Sequence, residues 1–293
     1  MPDYLDRWKI QRAYKAFIEK DFSNETPEAT YNLFRNALGP YPETIWEVNS
    51  SVAFVRARTV DEQKEDITLP TTFGAPPSKY TKVGRANMRG APVFYSSFDS
   101  RVAMHEIKVP LDTVCYVSIW ENIGELPKLA TYINAVHAKN DFSDLSKRLP
   151  LNRPKNLEKV YSKGSFKMAM TKRSKLFREE NYNLSSRIAH QAIFLGNPDV
   201  SGILYPSVID KYRCNVALNP KFVIQNYRPI RLYKMVWSGA FIFRVLARGT
   251  LRNDKIIWEE TGTYELDSLD NKYSGSRGPK EIDKKALKVL YNK

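Results

Sequence analysis

Apolar residues recur at helical spacing near the start of the chain. In residues 4–20 (YLDRWKIQRAYKAFIEK) they are separated mostly by three or four positions, which predicts an amphipathic helix. A second helix is predicted directly after it. Thr26 before Pro27 is a favourable N-cap followed by a first-turn proline, and Gly39 with Pro40 ends the apolar run. Together these elements predict an N-terminal helical extension over residues 1–48.

From residue 51 onwards, short apolar runs rich in β-branched and aromatic residues predict strands. The runs are SVAFVRART, PVFYSS, VCYVSIW, GILYPSV, NVALNP and RLYKMVW. Helical spacing recurs between them in SRVAMHEI, residues 100–107, and in LSSRIAHQAIFLG, residues 184–196, where Ser185 or Ser186 could cap the helix and Gly196 could close it. The pattern predicts an α+β main domain at residues 51–235 in which strands outnumber helices.

The last part of the chain, residues 236–293, predicts a β-hairpin and a short basic helix. The runs FIFRVLARG and KIIWEETG flank the turn TLRND, and KEIDKKALKVLY follows a loop rich in Gly and Ser. We expect both elements to pack on the main domain.

Charge is unevenly distributed along the chain. The formal net charge is +14, and residues 146–178 contain eleven Lys or Arg against one acidic residue, Glu158. This stretch predicts a basic insertion at about residues 140–180. A block of this kind could bind nucleic acid, an acidic protein or an anionic substrate, or it could be a solvated basic face without a dedicated ligand.

Several classes of protein are not indicated by the sequence. The N-terminus has no apolar signal region, and no stretch approaches the ~18 apolar residues of a membrane span, so we expect a cytoplasmic protein. Cys115 and Cys214 each lie in an apolar run, which favours buried thiols. The sequence contains neither a pattern of metal ligands nor a glycine-rich phosphate loop, so we expect no metal.

One stretch combines residues that suit a binding site, GRANMRGAPVFYSSFDSRVAMHE at residues 84–106. Arg85 lies in a turn-rich loop, Tyr95 ends a predicted strand, and Glu106 ends the following predicted helix. Taken alone, each has a structural explanation: a solvated loop charge, a packed strand aromatic and an exposed helix carboxylate.

In combination, the stretch resembles the motif of the RES-domain family. The matching positions follow the family's order and spacing: Arg85, Asn87, Gly90, Pro92, Tyr95, Ala103 and Glu106. Two further segments are similar to the family's. FVRA at residues 54–57 places Arg56 at its first arginine position, and SGILYPSVIDKYRCNVALNP at residues 201–220 places Ser207 at its hydroxyl position.

The resemblance implies an ADP-ribosyltransferase-like fold, with a split β-sheet core and a cleft for NAD. It also implies a bacterial toxin that destroys NAD+, and a neutralising antitoxin as partner. NAD is then the substrate, and the resemblance implies Glu106, Tyr95 and Arg85 as catalytic residues, with Arg56, Arg85, Tyr95 and Ser207 binding it.

These residue types suit the chemistry of NAD+ cleavage. A carboxylate stabilises the cationic, oxocarbenium-like ribose that forms as nicotinamide departs. Arginine forks bind phosphate oxygens in bidentate fashion, and a tyrosine ring attracts the cationic nicotinamide. We expect Ser207 to donate or accept a hydrogen bond at a bound ribose or at Glu106.

The sequence leaves three alternatives open. The ADP-ribose acceptor could be water or inorganic phosphate, which makes the protein an NAD+ glycohydrolase or phosphorylase. It could instead be a protein or nucleic acid, which makes it a mono-ADP-ribosyltransferase. The third alternative is a non-enzymatic nucleic-acid-binding module that uses the basic block and its aromatic residues Tyr161, Phe166 and Phe177. No residue indicates the oligomeric state.

Overall fold

The computed structural model describes residues 5–39, 44–48, 52–133, 160–162, 164–179, 182–209, 213–239 and 242–266. The helices in this part of the chain are α1 Arg7–Glu19, α2 Pro27–Leu38, α3 Ser100–Glu106, α4 Ser165–Leu176, α5 Tyr182–His190 and α6 Pro220–Asn226. The strands are β1 Ile45–Glu47, β2 Phe54–Arg58, β3 Phe94–Ser97, β4 Val114–Asn122, β5 Lys128–Thr131, β6 Gly202–Pro206, β7 Cys214–Leu218, β8 Tyr227–Gly239, β9 Ile242–Arg252 and β10 Lys255–Leu266. The predicted α+β class is confirmed.

The chain forms two compact units, each assembled from three separate stretches. The first unit takes residues 1–47, 77–93 and 127–219, and the second takes residues 48–76, 94–126 and 220–293. The sequence predicted three parts instead, an extension at 1–48, a main domain at 51–235 and a terminal part at 236–293. This division stays a prediction.

Both predicted N-terminal helices form in the first unit, with the expected caps. The Thr26 hydroxyl accepts a hydrogen bond from the Ala29 amide at 3.1 Å, Pro27 occupies the first turn, and Gly39 ends α2 with a φ of 86°. Such a positive φ favours glycine. The apolar faces of the two helices meet, since the Phe17 and Phe34 rings lie 5.6 Å apart. The extension therefore contributes core residues to the first unit.

Within the first unit, β5 pairs with β1 in antiparallel orientation and with β6 in parallel orientation, and β6 pairs antiparallel with β7. β6 and β7 are buried along their whole length. The helix predicted at residues 184–196 begins at Tyr182, before either candidate serine, and continues into a π-helical turn at Gln191–Leu195 that ends at Gly196. The prediction of Ser185 or Ser186 as its N-cap is wrong.

Within the second unit, the strands follow the order β3-β2-β4-β8-β9-β10, and all neighbours are antiparallel. Alternation along β2 separates the two faces of this sheet. Val55 and Ala57 belong to a core with Ala103 and Met104 of α3. The other face carries an aromatic layer, in which Tyr116 contacts Phe73 and Trp258.

The predicted C-terminal hairpin is confirmed by β9 and β10. Its turn consists of Asn253 and Asp254, which adopt φ values of 48° and 59°. Two successive residues in the left-handed region are typical of the tight hairpin turn that matches strand twist. The predicted basic helix at 280–291 lies outside the described residues. No helix in the described part of the chain is long and apolar enough to cross a membrane.

Candidate active site

Arg56 lies in the middle of β2, a strand whose residues from Phe54 to Ala57 are all buried. Its side chain belongs to the aromatic face of the second unit. The guanidinium carbon lies 5.4 Å from the centroid of the Phe94 ring, and Nη1 donates a hydrogen bond to the Tyr95 carbonyl at 2.9 Å. Only 9% of the residue is exposed. The strand therefore holds a charged head group among aromatic rings.

No carboxylate compensates the Arg56 charge within the described residues. Its Nε is buried and makes no hydrogen bond there. Burial, followed by the nearby charge of Arg58, lowers the pKa of the Arg56 guanidinium to about 10. The neighbouring Arg58 is itself neutralised, because its Nη2 donates to both Glu65 carboxylate oxygens at 2.9 and 2.7 Å. Within the described part of the chain, Arg56 is thus a buried cation without a counter-ion.

Tyr95 lies on β3, which pairs with β2 at Val55 and Ser97. Because side chains alternate along a strand, Phe94 and Ser96 share the face of Arg56, whereas Tyr95 shares the face of Val55 and Ala57. That second face is the one on which α3 packs. Tyr95 is half-buried. The structure therefore brings the Tyr95 carbonyl to Arg56, and strand alternation assigns its side chain to the α3 side of the sheet.

Glu106 is the last residue of α3 and is half-buried. The preceding residues Ala103 and Met104 hold the helix on β2 and β4. Glu106 follows Ala103 by three positions, so its side chain leaves the helix at the flank of the packed face. Burial lowers the pKa of the adjacent His105. Tyr95 and the helix that carries Glu106 share one face of the sheet.

Arg85 belongs to the first unit, in a tight loop closed by a bridge between Gly84 and Asn87. The Asn87 amide nitrogen donates to the Lys82 and Met88 carbonyls at 2.7 and 2.9 Å, which fixes the loop from within. Two residues of the predicted motif thus have clear local roles: Asn87 braces the loop, and Gly90 adopts a φ of 76°.

The Arg85 guanidinium is engaged at the end of α4. Nη1 donates to the Phe177 carbonyl at 2.6 Å and to the Glu179 carbonyl at 3.4 Å, and the guanidinium carbon lies 5.0 Å from the Tyr182 ring centroid. A cation at this position satisfies carbonyls that the helix leaves unpaired and complements its dipole. The sequence predicted a ligand for Arg85 but gave no sign of this capping contact.

Ser207 follows β6 in the first unit and is fully buried. Its hydroxyl accepts a hydrogen bond from the Ile209 amide at 3.1 Å, and its own amide donates to the Arg213 carbonyl at 2.9 Å. These bonds close the turn after the strand. The side chain predicted as a substrate ligand is thus also part of a local turn.

The aromatic residues of the basic block are not exposed. Tyr161 and Phe177 are fully buried and Phe166 is 2% exposed. Tyr161 donates from its hydroxyl to the Leu38 carbonyl at 2.7 Å. These three rings are therefore part of the core and are not available for stacking on bases. Residues 146–159 of the block lie outside the described part of the chain.

The described residues contain no group of three or more His, Cys, Asp or Glu side chains placed to hold a metal ion.

Phe94 is the neighbour of Arg56 that the sequence did not single out. Its only sequence signal is its place next to Tyr95 in the apolar run PVFYSS. That run does not reveal that Arg56 of the neighbouring strand lies over the Phe94 ring.

A family model described as the RES domain matches residues 54–238. The chain belongs to the RES domain family. The match spans the Arg56 strand, the stretch from Arg85 to Glu106 and the Ser207 segment of this RES domain, whereas α1 and α2 precede it. The family predicted from these motifs is confirmed.

Comparison with solved structures finds a similar chain in the crystal structure of the M. tuberculosis MbcT-MbcA toxin-antitoxin complex. The two chains share 10% sequence identity, the match covers 72% of this RES domain protein and 94% of the other chain, and the TM-score is 0.40. None of the curated proteins matches the chain significantly.

Proposed function

We propose that this RES domain is an NAD+-degrading enzyme that cleaves the bond between nicotinamide and ribose. The observation that carries the proposal is Arg56, a buried guanidinium without a carboxylate partner in the described residues. An uncompensated buried charge lowers stability, so a function that supplies an anion explains why the sequence keeps it. The diphosphate of NAD+ is such an anion, and the chain has no glycine-rich loop to bind it.

The chemistry of the bond defines what the other residues would do. In the hydrolytic reaction, water adds to the ribose carbon, the bond to nicotinamide breaks, and nicotinamide keeps the electron pair and leaves neutral. The products are ADP-ribose, nicotinamide and a proton. The developing charge on the ribose is positive, so a nearby carboxylate lowers the barrier. We assign this role to Glu106.

Tyr95 and Glu106 would act at the nicotinamide end, and Arg56 at the diphosphate. The support for a shared role of the first two is that strand alternation assigns the Tyr95 side chain to the face on which α3 packs. A tyrosine ring attracts a pyridinium cation but not the neutral product, so it favours the substrate over the released nicotinamide.

Arg85 and Ser207 are assigned to NAD+ binding on the family motif alone. Both already make local hydrogen bonds, Arg85 at the end of α4 and Ser207 in the turn after β6. Arg85 also has donor capacity beyond these bonds, since a guanidinium carries five N–H donors.

The direct test is the rate of NAD+ loss by the Glu106→Gln variant. We expect the variant to fold and to bind NAD+ while its turnover falls by about a hundredfold or more, as is typical when one charge-stabilising group is removed. Nicotinamide release, followed by chromatography, measures the rate. Glu259→Gln, an exposed position on β10, is the matched control. Equal rates in Glu106→Gln and the parent would remove Glu106 from the mechanism.

The acceptor of ADP-ribose is a separate question with a separate measurement. We propose water or inorganic phosphate as the acceptor, because transfer to either needs no binding surface for a macromolecule. Incubation with NAD+ and phosphate, followed by mass spectrometry, distinguishes free ADP-ribose from its 1″-phosphate. ADP-ribose attached to the protein itself or to an added macromolecule would identify a mono-ADP-ribosyltransferase.

We also propose that the protein is a bacterial toxin controlled by an antitoxin. The family motif supports this, and the net charge of +14 favours an acidic partner. Expression in a bacterial host, with intracellular NAD+ as the readout, tests the toxin. Loss of NAD+ and growth in the parent but not in Glu106→Gln is the expected result.

A further inference from the structure

Among the described residues, Ser96 is a buried polar side chain on the aromatic face of the second unit whose hydroxyl has no hydrogen-bond partner. It is 7% exposed, and its hydroxyl oxygen makes no hydrogen bond within the described residues. A buried hydroxyl without a partner costs free energy, so such groups are rare in native proteins unless something else binds them. Nε of Arg56 is another such atom on this face.

The strand register places these two side chains together. β2 and β3 are antiparallel and pair at Val55 and Ser97, so one position further along Ser96 lies opposite Arg56. Directly opposed residues of an antiparallel pair point to the same face, with Cβ atoms about 5 Å apart. Phe94 is two residues before Ser96 and therefore points to the same face. The Arg56 guanidinium lies over the Phe94 ring, which confirms that Arg56 is on this face too.

The other serine beside Arg56 on this face already has hydrogen-bond partners. The Ser118 hydroxyl, opposite Arg56 on the other neighbouring strand, accepts from Trp120 Nε1 at 2.8 Å and donates to the Arg56 carbonyl at 3.3 Å. The Trp120 ring in turn contacts Phe94 at 5.0 Å. A hydroxyl and a guanidinium are both donors, so what both could bind is an acceptor, and the positive charge selects an anion.

We propose that Ser96 and Arg56 form one anion-binding subsite, in which the Ser96 hydroxyl donates to the same phosphoryl group that Arg56 binds. The ligand class is a diphosphate ester, and the identification of that ester as NAD+ rests on the proposed function.

The test compares Ser96→Ala with Ser118→Ala, two serine substitutions on the same face. Inorganic pyrophosphate is titrated calorimetrically into the full-length parent and both variants at physiological ionic strength, which screens binding to exposed basic residues. NAD+ is titrated into the same proteins carrying Glu106→Gln, which prevents its consumption. We expect Ser96→Ala to weaken both ligands by about tenfold, the usual effect of one hydrogen bond to a charged group.

Thermal unfolding without ligand provides the second readout. We expect Ser96→Ala to keep or raise the melting temperature, because it removes a hydroxyl that has no partner. Ser118→Ala should lower it, because Trp120 Nε1 loses its acceptor, while ligand affinity stays within about twofold of the parent.

The outcomes separate the subsite from the proposed function. Weaker pyrophosphate binding by Ser96→Ala, in a protein that does not bind NAD+, would support the subsite and contradict the proposed substrate. Unchanged affinity of Ser96→Ala for NAD+ and pyrophosphate would overturn the subsite and leave the proposed substrate standing. A parent that binds neither ligand would overturn both.

Discussion

Arg56 links function to stability at the scale of a single residue. Its charge is buried beside Phe94 and is disfavoured further by Arg58, so the folded protein bears a desolvation cost that ligand binding would offset. Residues that lower the stability of the folded protein in this way are found at functional sites. The cost should be measurable without any ligand.

We predict that Arg56→Met raises the free energy of unfolding at pH 7 by about 1 kcal/mol or more and abolishes NAD+ binding. Methionine fills similar space among the aromatic rings without a charge, and replacing buried charges by apolar residues is often stabilising. Urea titration measures the difference. A variant less stable than the parent would show that the hydrogen bond to the Tyr95 carbonyl outweighs the cost of burial.

The same substitution should show a characteristic pH dependence. The pKa of Arg56 is lowered to about 10 in the folded protein, so above that pH the folded state releases its proton while the unfolded state keeps it. The unfolded state then binds more protons, and the stability of the parent rises relative to Arg56→Met as pH increases through 10. A stability difference that is constant from pH 8 to above 10 would contradict this account.

The residue scale also shows what a sequence can reveal about a site. Arg56, Tyr95 and Glu106 were predicted from a spaced motif. That no described carboxylate lies beside Arg56 depends on β4 and on the loop that carries Glu65, which a local pattern does not contain. Ser96 had no signal of its own, because a serine in a strand is common and its unsatisfied hydroxyl becomes visible only when its neighbours are known.

At the scale of elements, local sequence signals were sufficient to predict where helices and hairpins begin and end, but they did not predict which strands pair. Thr26, Pro27 and Gly39 mark both ends of α2, and Asn253 with Asp254 marks the hairpin turn, because each of these features is determined within a few residues. The parallel pairing of β5 with β6 joins residues about seventy positions apart. Such pairings depend on the whole core, and so the strand order could not be predicted from periodicity.

Arg58 anchors the loop that follows β2. Besides its ion pair with Glu65, its Nε donates to the Thr59 carbonyl at 3.1 Å and its Nη1 to the Thr72 carbonyl. We predict that Arg58→Lys lowers the free energy of unfolding by about 1–3 kcal/mol, because an ammonium group cannot reach these acceptors together. Faster tryptic cleavage in the loop should accompany the change.

The exposed pair Lys64–Asp61 in the same loop is the matched control for Arg58. Its side chains are 79% and 47% exposed, so Lys64→Met should change stability by less than about 0.5 kcal/mol. Equal effects of the two substitutions would show that burial of the ion pair is not what holds the loop.

Arg85 has an element-scale role that can be separated from ligand binding. Its contact with the Phe177 carbonyl caps α4, and the Tyr182 ring covers the guanidinium. We predict that Arg85→Gln lowers the melting temperature without ligand, by an amount that corresponds to about 1–2 kcal/mol. Circular dichroism during heating measures it. An unchanged melting temperature together with weaker NAD+ binding would show that Arg85 contributes to ligand binding and not to the stability of α4.

At the scale of the molecule, the two N-terminal helices are part of the core of the first unit. Phe17 and Phe34 are buried in it, Tyr161 donates to Leu38, and Arg187 on α5 donates to the Glu25 carbonyl. We predict that removal of residues 1–47 gives an insoluble or unfolded protein, because these partners are lost together.

Solubility and thermal unfolding of the truncated chain measure this outcome. Trp8→Ala is the control, since Trp8 on α1 is 65% exposed and its loss should leave stability nearly unchanged. A truncated protein that folds and degrades NAD+ faster than the parent would instead identify the helices as a regulatory segment.

The two cysteines give the chain a built-in pair of probes. Cys115 lies in the second unit and Cys214 in the first, both are buried, and burial raises the pKa of Cys115 to about 11. A thiol-specific dye therefore reacts with either only when that unit opens. With single Cys→Ser variants, the rate of dye incorporation would report the opening of each unit separately. A rate that falls when NAD+ is added would identify the unit that the dinucleotide stabilises.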